Sequence, residues 1–96
     1  MQKPTPVQRI EMFMERAGWT KTRLAAAVGR SESALNKVLA GSRKMSPALA
    51  IDLQLATTGA VRRKEVPATV RALRAADLHP KVRALLDAER AAAAHA

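Results

Sequence analysis

Helix-capping side chains and glycines alternate along this chain, and that punctuation limits it to short helices. Thr5-Pro6-Val7-Gln8, Thr20, Ser31 and Ser46-Pro47 each put a side-chain oxygen just before an apolar-periodic run, and Gly18, Gly29, Gly41 and Gly59 follow those runs. A hydroxyl at the N-cap accepts from an otherwise unpaired amide, and glycine adopts the left-handed conformation that ends a helix without a Cβ penalty. In the first segment, Thr5 caps, Pro6 suits the first helical position and Gln8 completes a capping box. Ile10, Phe13 and Met14 then recur at helical spacing up to Gly18. A second helix is predicted over Lys21 to Val28, with Leu24, Ala25 and Val28 inward. A third runs from the Ser31 cap to Ala40, with Leu35, Val38 and Leu39 inward. A fourth opens at Pro47, carries Leu49, Ala50, Ile51, Leu53 and Ala56, and is closed by Gly59. Leu55 adds to that helix, which is either buried nearly all round or lends a face to a partner. β-branched residues are few and alternation is short, so strands are not expected.

After Val61 the character changes. Arg62-Arg63-Lys64-Glu65 reads as a polar connector, and Pro67 opens a stretch with Val66, Val70 and Leu73 at i, i+4 and i+7. His79-Pro80 interrupts it, and a last helix carries Val82, Leu85 and Leu86 before an alanine-rich tail. The predicted organisation is a bundle over residues 1–65 and a helical C-terminal extension over residues 66–96.

The 96 residues carry 17 Lys and Arg against 8 Asp and Glu, a formal net charge of +9. That excess points to a polyanion, because neutralising phosphates releases counterions. Single-strand binders stack bases on aromatic side chains. Only Phe13 and Trp19 are aromatic, and both fall at core positions, so duplex DNA is favoured over RNA or single strands. The chain has no cysteine, which rules out disulfides and thiolate metal sites. It has no apolar run long enough to span a bilayer and no signal-peptide pattern, so a cytoplasmic, nucleoid-associated protein is expected.

Lys21 to Gly41 holds the informative constellation: two short helices, a small residue at Ala25 for close approach, Gly29 for the tight turn, and Leu35 and Val38 packing back. This spacing fits a helix-turn-helix, although an ordinary helical hairpin shares it. Residues 7 to about 66, and above all LAAAVGRSESALNKVLAG (24–41) and SPALAIDLQLATTGAVRRKEV (46–66), resemble the Cro/repressor-type helix-turn-helix family in its Cro-like and antitoxin-like branch. Thr58 and Val38 depart from the family's common pattern. The resemblance implies an all-α, lambda-repressor-like bundle of about five helices whose third helix enters the major groove.

By that geometry, the outward positions of the third helix are Ser31, Glu32, Ser33, Asn36 and Lys37. Asn can pair bidentately with adenine, Lys can reach guanine, and Glu can accept from cytosine. Ser31 serves equally as a cap, and Glu32 as a favourable charge at a positive helix end. Lys21, Arg23, Arg30, Arg43 and Lys44 flank the helix as candidate phosphate contacts. Each is otherwise a solvated charge, and Arg62-Arg63-Lys64 is open to both readings.

One helix-turn-helix covers few base pairs, so a homodimer on an inverted repeat is expected. Val66, Val70, Leu73, Leu78, Val82, Leu85 and Leu86 are the candidate dimerisation residues. The alternative is that they fold back on their own bundle. The sequence favours a transcriptional repressor of phage or prophage type. An antitoxin with a toxin protein as partner, or an interaction module without DNA binding, are the other readings. No cofactor, metal, membrane partner or small-molecule effector is indicated. His79 and His95 belong to no recognisable catalytic or metal-ligand pattern, and no enzyme motif is present.

Overall fold

The computed structural model describes residues 4–94, and His95 lies outside them. Six α-helices and no strand occur among the described residues: α1 (Pro6–Ala17), α2 (Lys21–Val28), α3 (Glu32–Leu39), α4 (Pro47–Arg62), α5 (Ala75–Leu78) and α6 (Pro80–Ala94). None is long and apolar enough to cross a membrane.

The helix starts follow the capping chemistry. Gln8 N–H donates to Thr5 Oγ1 at 3.1 Å while Thr5 N–H donates to Gln8 Oε1 at 2.9 Å. Thr20, Ser31 and Ser46 accept in the same way from Arg23, Ala34 and Leu49. The ends of α1 and α2 share one geometry, with Gly18 and Gly29 both at φ 70. The amide after each glycine donates to the carbonyl five residues back, Trp19 to Met14 and Arg30 to Ala25, both at 2.9 Å.

α4 does not end at Gly59. It runs on to Arg62, and Lys64 takes the left-handed position at φ 59. Glu65 N–H then donates to the Ala60 carbonyl at 2.9 Å. Gly59 stays helical beneath the Arg63 side chain, whose guanidinium is 2.9 Å from where a Cβ would stand. The turn comes later because Ala60 is fully buried and Val66 must also reach the core.

The helix expected from the Val66, Val70, Leu73 spacing does not form. The chain between Arg63 and Arg74 is irregular and lies against α4. Leu73 N–H donates to Thr57 Oγ1 at 2.9 Å and Ala75 N–H to Gln54 Oε1 at 2.8 Å. Acceptors on α4 thus take amides that a helix would direct four residues back along the tail.

Val66, Val70, Leu73, Leu78 and Val82 are buried in the same apolar cluster as Ile10, Leu24, Leu35 and Leu53. This corrects their assignment as dimerisation residues, since a side chain already enclosed by its own chain offers no area to a second copy. It also means that the boundary at residue 65 is no boundary of the core. The bundle needs the tail because α4 is apolar on more faces than α1 to α3 can cover. Leu85 and Leu86 remain exposed on α6, and Ile51 and Leu55 on α4.

Candidate nucleic-acid interface

The connection between α2 and α3 is three residues, Gly29-Arg30-Ser31, and both of its ends are hydrogen-bonded. Gly29 N–H donates to the Ala26 carbonyl at 3.2 Å, and Ala34 N–H to Ser31 Oγ at 3.1 Å. Ala25, 2% exposed, adds no bulk between the helices. Leu35 and Val38 are buried, and these two anchors fix the roll of α3 about its own axis. At about 100° per residue, the direction opposite Leu35, Val38 and the partly buried Leu39 falls between Ser33 and Lys37, and both are exposed.

Hollows run along both sides of α3. Glu11, Lys21, Asn36, Leu39 and Ala40 line one. Arg30, Arg43, Lys44, Ser46 and Leu49 contribute to the other. Lys21 on one flank and Arg43 and Lys44 on the other are exposed and make no salt bridge among the described residues. The face therefore consists of two outward residues with Arg43 and Lys44 on one shoulder and Lys21, beside Glu11, on the other.

The remaining candidates have partners within the protein. Ser31 is the cap of α3. The Glu32 carboxylate accepts from Thr22 Oγ1 at 2.9 Å, tying the start of α3 to α2. Arg30 pairs with Asp52 of α4 at 2.9 Å, with both side chains roughly 40% exposed. An ion pair so open to water adds about 1 kcal/mol or less, so it orients the turn more than it stabilises the fold. The Arg23 guanidinium lies 4.5 Å from the Trp19 ring centroid, and Trp19 in turn meets Phe13 edge-on at 5.4 Å.

Asn36 is not in the outermost row, which corrects its placement with the outward readers. It is half-buried, and its Oδ1 is enclosed with no hydrogen-bond partner. The reason is its angular position, about 60° from the partly buried Leu39. At the end of α4, Arg63 donates from both Nε and an Nη to one Glu65 oxygen at 3.2 and 3.0 Å. That hydrogen bond holds the Glu65 carboxyl below the usual range, with the nearby Arg23 charge acting in the same direction. Arg62, Arg63 and Lys64 are all exposed.

Thr22 and Asp52 escaped the sequence reading. Their partners lie 10 and 22 residues away, so no local pattern could have exposed them. Among the described residues, no three His, Asp or Glu side chains gather where they could hold a metal. Comparison of the chain with protein-family models, with curated proteins and with solved structures yields no match.

Proposed function

We propose that the protein is a sequence-specific regulator that binds double-stranded DNA, with α2, its turn and α3 acting as a helix-turn-helix of the Cro/repressor type. The observation that carries this reading is the exposed face of α3, where Ser33 and Lys37 stand between Lys21 on one flank and Arg43 and Lys44 on the other. A major groove admits one α-helix, and its walls are phosphate backbones. A helix with readers at its crest and cations on both shoulders suits that shape. Lys37 reaches guanine acceptors, Ser33 reaches either base edge, and Asn36 joins them only after its side chain rotates out. The uncompensated N-terminus of α2, which has no acidic residue in its first turn, adds a further phosphate contact.

The regulator acts as a dimer on an inverted repeat. With Val66, Val70, Leu73, Leu78 and Val82 consumed by the core, Ile51 and Leu55 of α4, 44% and 64% exposed, form the surface a second copy meets. The test is selection of bound duplexes from a random pool. Two half-sites about one helical turn apart are expected among the winners. A pool that returns no enriched sequence would overturn the assignment. A second reading, an antitoxin that also binds a toxin protein, is favoured by Leu85 and Leu86, which leave α6 with exposed apolar surface beyond Val82.

A further inference from the structure

A second basic site lies away from α3, where α1 faces the irregular stretch before α5. A cleft of about 420 Å³ opens there, with Arg9 and Arg16 on one wall and Arg71 and Arg74 on the other. Phe13 and Val70 supply apolar lining. None of the four arginines makes a salt bridge among the described residues. Asp77, the acidic residue of the lining, sits 3.9 Å from Arg83 instead. Glu11, nearly opposite Arg9 around α1 at about 100° per residue, borders the hollow beside α3, so the cleft and the α3 face look in different directions.

Four guanidiniums brought together from separated segments repel one another, and Asp77, the one carboxylate of the lining, offsets at most one of the four charges. We propose that this cleft binds a small molecule carrying two or more phosphate groups. Guanidinium forks match phosphate oxygens bidentately. Charge matching selects the class, because two phosphates offset about four positive charges whereas a lone carboxylate leaves most of them unbalanced. The volume lies within the roughly 300–1,000 Å³ of small-ligand sites, and a concave pocket suits a compact anion better than the convex rod of a duplex. The site stands independently of the duplex-binding reading.

The probe is inorganic pyrophosphate, titrated into the full chain and followed by calorimetry and by backbone amide shifts. Saturable one-to-one binding is expected, with the shifts centred on residues 69–74 and on the Arg9 and Arg16 face of α1. Arg16→Gln with Arg71→Gln should weaken binding at least tenfold. Arg43→Gln with Lys44→Gln removes the same charge from the α3 flank and should leave the affinity within twofold. All four side chains are exposed, and the shifts of the unaltered protein give a reading that depends on no variant. Binding that does not saturate, equal weakening by both pairs, or shifts centred on α3 would each overturn the proposal. So would a short duplex that moves the cleft amides when pyrophosphate does not.

Discussion

Thr57 Oγ1 accepts a 2.9 Å hydrogen bond from the backbone amide of Leu73, 16 residues along the chain, and donates at 2.7 Å to the Leu53 carbonyl of its own helix. Thr57 is completely buried. The hydroxyl is therefore the pin that holds the irregular tail against α4. Thr57→Val keeps the shape and leaves the Leu73 amide without its acceptor, which should cost about 1–3 kcal/mol. Thr57→Ser keeps the bond and should cost less. Chemical denaturation separates the two variants, and equal stabilities would remove the hydroxyl from the account.

Truncation after Lys64 should abolish cooperative folding. Burial of Val66, Val70, Leu73, Leu78 and Val82 is worth about 1.5–3 kcal/mol for each side chain. A whole domain is stable by only about 5–15 kcal/mol. Residues 1–64 alone should show no sharp thermal transition, whereas Leu55→Glu in the full chain should leave melting intact and shift sedimentation toward a monomer. A truncated chain that melts cooperatively would show that the first four helices suffice.

Gly29 and Lys64 both sit at positive φ, and substitutions there should act in opposite directions. Nothing stands within 4 Å of a Cβ built on Gly29, so the cost of Gly29→Val is backbone strain alone, about 1–3 kcal/mol. Gly29→Asn should be milder, because Asn tolerates this region. Lys64→Gly relieves the same strain at the end of α4 and should stabilise by about 1 kcal/mol. Thermal melts of the three variants order them, and a neutral Gly29→Val would contradict the turn geometry.

On the proposed duplex, Lys37→Ala should relax base preference at one position, at about 1–3 kcal/mol on the preferred sequence. Lys21→Ala and Arg43→Ala should weaken all duplexes nearly equally. Competition binding against a panel of single-base variants reads the difference. Uniform loss from Lys37→Ala would move it from the base edges to the backbone.

Affinity for that duplex should fall linearly with salt on logarithmic axes, with a slope of about −0.9 per phosphate contacted. Lys21→Ala and Arg43→Ala should each flatten the slope by about one contact. A slope near zero in the unaltered protein would remove the phosphate shoulders from the interface.

Local sequence sets the starts of α1 to α4 and the turn between α2 and α3. Caps act within three residues and glycine acts through its own φ, so Thr5, Ser31 and Gly29 carry their structural meaning locally. The same locality made Ser33 and Lys37 legible as outward, once Leu35 and Val38 were known to be inward. The path of the tail follows instead from long-range packing. Val66, Val70 and Leu73 have helical spacing, yet the acceptors Thr57 and Gln54 on α4 drew that segment into an irregular path and its side chains into the core. Tertiary packing likewise carried α4 past Gly59. It also brought Arg9, Arg16, Arg71 and Arg74 to one cleft across some sixty residues of sequence, from which no periodic pattern could assemble them. Capping and turn energies are set by neighbours in the chain, whereas burial and charge clustering depend on which distant surfaces meet.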